Sequence, residues 1–193
     1  MNNKFLRVAK LWLSFATLSA VIFGTMYLGL QQCIRLGANI TPMECAVNMK
    51  DQLETNLSPG QAITGLPTVN IAHSLSSFVI IYDKSGHAVA GSGKLNGKFP
   101  ALPEGVFKAA DAKKENRISW QPQTGLRFAT VILPYSSSAG DGYILSGHSL
   151  QEYEHLISLL SNILFFGWIL TLAISYLFIY LITTGNKHEE LSK

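Results

Sequence analysis

Gly142-Tyr143-Ile144-Leu145-Ser146-Gly147-His148-Ser149-Leu150-Gln151-Glu152, followed by a charge-free run over 156–186, is the stretch whose reading decides the fold. It reads as a strand, a helix start and a membrane span in direct succession. Ser149 and Glu152 have the S-x-x-E spacing of a capping box, in which each side chain bonds a free backbone N–H of the other residue. No Gly or Pro lies between Ser149 and Phe166. A helix starting at Ser149 is therefore predicted to enter the apolar run without a break. Ser149 and Glu152 are the residues expected to pass movement of a folded domain to a span.

Composition agrees with this reading. Of the 193 residues only 14% are charged, where a soluble domain carries about 25%. The deficit lies in two charge-free runs, 11–30 and 156–186. About 20 apolar residues cross a bilayer core of roughly 30 Å. The chain is therefore divided into a cytoplasmic arm (1–10), a transmembrane helix (11–30), an extracytoplasmic domain (31–155), a second transmembrane helix (156–183) and a cytoplasmic tail (184–193). The first run is longer than the roughly 7–15 residues of a signal-peptide core, which favours an uncleaved anchor over a cleaved signal. Lys4, Arg7 and Lys10 place the N-terminus in the cytoplasm, and a second crossing returns the C-terminus there. Residues 31–155 hold ten Lys/Arg and ten Asp/Glu. A neutral exterior offers no basic surface for nucleic acid.

Outward from the opening stretch, the chain divides into short elements. Ala16, Ala20 and Gly24 repeat at a spacing of four on one helix face, where a second helix of this chain or of another copy can approach. Cys33 and Cys45 can pair across a turn at Gly37, Asn39 and Pro42, stay unpaired or bridge two copies. Thr41-Pro42-Met43-Glu44 has capping-box spacing and predicts a helix over 42–57. Ser58-Pro59-Gly60 is expected to stop it, and 61–75 to be irregular with a short helix near 69–75. Strands are predicted at 78–82, 87–91, 117–121, 126–133 and 143–147, with turns at 83–86 and 122–125 and a polar connection over 136–142. A further helix is predicted over 103–114. Five short, hairpin-linked strands make an antiparallel sheet, one face of it covered by the long N-terminal helix. Phe78, Ile80, Val131 and Ile144 are its expected core. The fold class is α+β, flanked by two transmembrane helices.

Phe78-Val79-Ile80-Ile81-Tyr82-Asp83-Lys84-Ser85-Gly86, followed by Val89-Ala90-Gly91-Ser92, resembles the central hairpin of PAS-like, Cache-type extracytoplasmic sensor domains. The stretch from Gly142 to Glu152 resembles the end of such domains in bacterial sensor histidine kinases, where the last strand runs into the second span. The resemblance covers roughly residues 30–185. It implies a five-stranded PAS-like sheet, a place in the bacterial inner membrane and a ligand on the sheet face opposite the long helix, near the 91–103 loop. Tyr82, Trp120, Arg127 and Tyr143 are the candidate ligand-binding residues, with the Arg127 guanidinium suited to a carboxylate. The competing reading makes the aromatics core and Arg127 a solvated residue.

A sensor kinase continues into a phospho-accepting helix pair and an ATPase domain, whereas these residues stop about ten positions beyond the second span, 156–183. His188-Glu189 lacks the surroundings of a phospho-acceptor. The expectation is a sensory module without its own output domain, acting as a homodimer or with a membrane-protein partner such as a separate kinase. A structural or assembly protein and a truncated sensor kinase are the alternatives. No catalytic motif is present, and no catalytic residue, metal or cofactor is expected. His148, Glu152 and His155, spaced four and three, can share a helix face as a metal site, but a solvated membrane-proximal face is preferred.

Overall fold

The strand around which the fold is built, Phe78–Asp83, is covered on both faces. Phe78, Ile80 and Tyr82 enter one apolar cluster and Val79 and Ile81 the other. Successive strand residues point to opposite faces, so a continuous apolar run is what a strand between two covered faces requires. The structure is a computed structural model that describes residues 3–55 and 57–185. It divides into two units, Met1–Cys33 with Leu156–Lys193, and Ile34–His155.

The elements in order are α1 (Asn3–Gly37), α2 (Ile40–Glu54), α3 (Pro59–Ile63), β1 (Val69–Asn70), β2 (Phe78–Asp83), β3 (Ala88–Gly91), β4 (Gly93–Lys94), α4 (Glu104–Lys113), β5 (Asn116–Gln123), β6 (Leu126–Ser137), β7 (Gly140–Ser149) and α5 (Gln151–Gly185). Five strands form one antiparallel sheet in the order β3-β2-β7-β6-β5. The sheet and the helix lying across it are the PAS-like α+β arrangement expected. α2 buries Ala46, Met49 and Leu53 against Val79, Ile81, Val131, Leu133 and Ile144. The other face is filled by Phe107 and Ala110 of α4, by Val69 and Ile71, and by Leu95, Phe99 and Leu102 of the segment after β3. Phe78, Ile80, Val131 and Ile144 are buried as expected.

The turn at Asp83-Lys84-Ser85-Gly86 forms as read. The Gly86 N–H donates to the Asp83 carbonyl at 3.0 Å and the His87 N–H to Asp83 Oδ1 at 2.9 Å. Gly86 has φ +81°, a conformation that side chains with a Cβ resist.

Several expectations are corrected. α2 begins at Ile40 after Asn39, whose side chain makes no cap bond to it and donates instead to the Arg35 carbonyl of α1, so the box at Thr41–Glu44 does not form. Pro42 sits inside the first turn, where its missing N–H has no helical partner to lose. Of the alternatives left open for Cys33 and Cys45, the structure has both thiols free, each on its own helix. Ser58-Pro59-Gly60 starts a helix rather than only ending one: Ser58 and Gln61 make the reciprocal capping box of α3. The predicted helix near 69–75 is replaced by β1, which pairs in parallel with β4. The polar stretch 136–142 lies largely in strands, because β6 and β7 continue to a tight hairpin in which Ser137 pairs with Gly140. Ser and Gly have weak strand preference, but cross-strand pairing overrides it. Asn56, the arm residues 1–2 and the tail from 186, with His188 and Glu189, lie outside the described residues.

In the other unit, α1 and α5 run antiparallel. Trp12 Nε1–H donates to the Leu172 carbonyl at 3.1 Å and Trp168 Nε1–H to Ser19 Oγ at 3.2 Å. Each indole meets its partner on the facing helix, where water would be scarce. Both helices are long and apolar enough to cross a membrane. Their large side chains, Leu13, Leu18, Val21, Phe166, Leu170 and Phe178 among them, are exposed instead of buried in a protein core. Ala20 and Gly24 are not buried by this pairing, and Gly24 has open space where a Cβ would stand.

Candidate functional site

The residues singled out from sequence fall into two places. On the sheet face opposite α2, Tyr82 and Tyr143 flank Phe107, with ring centroids 5.3 and 4.7 Å from it. Both tyrosines are buried. Tyr82 Oη–H donates to the Pro100 carbonyl at 2.8 Å and so ties the 91–103 segment to the sheet. Burial pushes its phenol well above the usual tyrosine range. Trp120 is buried against Phe128, with centroids 5.8 Å apart. These three aromatics are buried in the cluster on this face, and the 91–103 segment packs there too.

Tyr143 adds a polar function to its packing. Its hydroxyl donates to Asp111 Oδ2 at 2.6 Å, and Lys84 Nζ reaches Asp111 Oδ1 at 3.2 Å. Lys84 Nζ also lies 4.7 Å from the Tyr143 ring centroid, a cation–π contact. The Tyr143 hydrogen bond, with Lys84 assisting against desolvation, holds the Asp111 carboxyl below its ordinary value. Burial and the bond to Asp111 raise Tyr143. Burial works against the Lys84 charge, but Asp111 and Tyr143 outweigh it and its pKa is raised. The turn after β2 is thereby locked to α4. Asp111 was not singled out from sequence, because it is far along the chain from Lys84 and only the fold joins them.

Arg127 lies elsewhere, at the junction of sheet and α5. Its Nη1 meets Glu154 Oε1 at 2.5 Å, and its carbonyl accepts the Leu150 N–H at 2.9 Å. The first turn of α5 is thus held to β6 by side chain and main chain of one residue. Arg127 is not gathered with Tyr82, Trp120 and Tyr143.

The capping box at Ser149 and Glu152 is corrected here. Ser149 is the last residue of β7, buried, and its Oγ accepts from the Gln151 N–H at 3.3 Å. That is one residue too early for the box. Glu152 is exposed, and Glu154 makes the contact to the sheet. His148 is also in β7, 3.0 Å from Ser77 Oγ through Nδ1. It shares no helix face with Glu152 and His155, and no group of three metal-ligating side chains occurs among the described residues.

The Arg127–Glu154 pair is half exposed, with 47% of each side chain accessible. An ion pair of that kind is worth about 0–1 kcal/mol. A double-mutant cycle of Arg127→Ala and Glu154→Ala, followed by denaturant unfolding, is expected to give a coupling of about 0.5 kcal/mol. Zero coupling would leave the main-chain bond and the His148–Tyr153 ring contact, with centroids 5.8 Å apart, to hold the first turn.

No family model matches the chain. A curated protein, the signal transduction histidine-protein kinase ArlS of Staphylococcus epidermidis (strain ATCC 12228 / FDA PCI 1200), is 29% identical over 149 residues, covering 72% of this chain. The chain spans 31% of that kinase's length. Among solved structures, the ligand-binding domain of the Pseudomonas aeruginosa PAO1 amino acid chemoreceptor PctC, in complex with GABA, has a TM-score of 0.42 and 14% identity. That match covers 72% of this chain and 62% of the other.

Proposed function

We propose that the chain is a membrane-anchored sensory module. Residues 31–155 form an extracytoplasmic domain that receives a small ligand or a partner protein, and residues 11–30 and 156–183 cross the bacterial inner membrane. Both termini are cytoplasmic. The domain has a binding role, not a catalytic one. A homodimer, or a partner such as a membrane-bound histidine kinase, receives the change. The likeness to a histidine-protein kinase supports this reading, and one observation carries it: β7 passes into α5 through a single residue, Leu150, and α5 continues unbroken to Gly185 while Arg127 holds its first turn. Ser149 and Glu152 flank this passage, and Arg127 and Glu154 are its fastening. A ligand drives such a lever only by binding two states of the domain unequally.

The test is a Gly-Pro insertion after Gln151, which breaks the helix outside the sheet. Partners that co-purify with the intact chain are identified and their activity measured with each version. The insertion is expected to leave the domain folded and to abolish regulation of the partner; unchanged regulation would overturn the lever. Topology is tested separately by single cysteines at positions 3 and 136, with Cys33 and Cys45 replaced. From outside intact cells only position 136 is expected to label, because the basic arm stays in the cytoplasm.

A second reading, an assembly protein whose domain only contacts another membrane protein, is favoured by the packed face at Phe99, Phe107 and Trp120. In that case the Gly-Pro insertion leaves partner behaviour unchanged.

A further inference from the structure

Along α5, Leu159, Asn162, Phe166, Ile169, Ala173 and Tyr176 recur at steps of three and four, and all are exposed. That spacing sets them on one stripe, the seam along which two helices wrap around each other. α1 meets another face of α5, where Ser161, Leu164 and Trp168 line a groove with it and Trp168 bonds Ser19.

An apolar stripe alone suits lipid, but Asn162 does not. Its carboxamide makes no hydrogen bond among the described residues. Thr171, Ser175 and Thr183 on the same helix each donate to a carbonyl three or four residues back, so α5 itself provides for their hydroxyls. The amide of Asn162 keeps two N–H donors and an acceptor oxygen unused. Its depth makes this costly. Gly24 and Tyr27 of α1 line one groove with Ser161 and Phe165, which puts Asn162 level with 24–27. The charge-free run of α1 continues to Leu30. At 1.5 Å per residue, Asn162 lies roughly 5–9 Å inside the end of that run, and about 9 Å along α5 from the start of its own. In hydrocarbon a polar group has no water to bond.

We propose that α5 pairs in the membrane with α5 of a second copy along this stripe, the two Asn162 amides hydrogen-bonded to each other. A carboxamide is its own complement. Across a two-fold axis the N–H of each donates to the carbonyl oxygen of the other, so both are satisfied at once. Copies inserted in the same direction bring Asn162 to the same depth. A different helix would need an amide of its own at that level, whereas a second copy has one. Ala173, on the same stripe, lets the backbones approach. The proposal rests on the reading of residues 156–183 as a membrane crossing, and it selects the second copy among the partners that reading allows.

The experiment is oxidative cross-linking of the full chain in the membranes of expressing bacteria, with Cys33→Ser and Cys45→Ala as background. Single cysteines replace Leu159 or Phe166 on the stripe, and Ile163 or Ile174 off it. Dimers are expected from the first two positions and not from the others. Asn162→Leu, which keeps the helix and its apolar surface, is expected to lower the dimer yield at Phe166→Cys about three- to tenfold at equal protein density. Asn162→Gln, which keeps an amide, is expected to stay within about twofold of the parent. Equal cross-linking on and off the stripe, or a yield that Asn162→Leu leaves unchanged, overturns the proposal. So does a cross-link from position 166 to a different protein with none between copies. Failure of the membrane reading shows separately, because Phe166→Cys would then react with a membrane-impermeant maleimide. That result overturns both, whereas a shielded cysteine without stripe-specific dimers overturns the pairing alone.

Discussion

Val131→Asp is expected to unfold Ile34–His155. Val131 is fully buried in the middle of β6, facing Ala46, Met49 and Leu53 of α2. A carboxylate there would lose its hydration. Its cross-strand neighbours on the same face are Ser146 and Arg117; the Arg117 guanidinium is half exposed and already paired with Glu115, and one hydroxyl does not replace a hydration shell. An uncompensated buried charge costs about 3–5 kcal/mol, much of the roughly 5–15 kcal/mol that holds a domain together. Limited proteolysis and far-ultraviolet circular dichroism of the full chain in detergent would read the loss. Cleavage should appear throughout 34–155 while the two long helices persist. Parent-like resistance would mean that α2 does not pack on β6.

Gly142→Ala should be the next most damaging change, for a different reason. A Cβ on Gly142 would stand 2.1 Å from the Tyr82 carbonyl oxygen and 2.9 Å from the Tyr135 ring. The oxygen belongs to the backbone of the central strand, in the register that pairs Tyr82 with Tyr143 and Asp83 with Gly142. No side-chain rotation relieves that contact, so β2 and β7 must separate locally, at a cost of about 1–3 kcal/mol or more. Gly105→Ala is the contrast. It lies within α4 with open space around it, and Ala in a helix is favoured over Gly by about 0.5–1 kcal/mol. Thermal unfolding should therefore move in opposite directions for the two substitutions. Equal shifts would refute the close approach at Gly142.

How much of this was legible depended on distance along the chain. The β2 run, the Asp83–Gly86 turn and the two apolar helices show in local pattern, because alternation, turn chemistry and charge-free length are properties of neighbours. The hairpin at Ser137–Gly140 was hidden by polar residues whose strand state comes from pairing with each other. β1 and β4, two residues each, have no pattern to show. The candidate site was less legible than the fold. Tyr82, Trp120 and Tyr143 carry the same signal whether they line a pocket or fill a core, and only packing decides. Arg127 was noticed for a charge that turned out to serve Glu154, and Glu152 was chosen over Glu154 because capping spacing is visible in sequence while a contact to a distant strand is not. Asp111 carries no local mark at all. Its role comes from what the fold sets beside it.

The register of the central pair has a consequence for how the protein is made. Phe78 lies opposite Gly147, and β2 has β7 as the neighbour on one side and only the short β3 on the other. Most of the chain between them must be synthesised before β2 can complete its ladder, and closing so long a loop is slow. Until then the most apolar strand of the domain has an open edge, a template for pairing with other chains. The missing neighbour arrives only with the residues immediately before α5. Completion of the sheet is thus tied in time to emergence of the last long apolar helix, and a chain stopped short of Ser149 would leave its stickiest strand half paired.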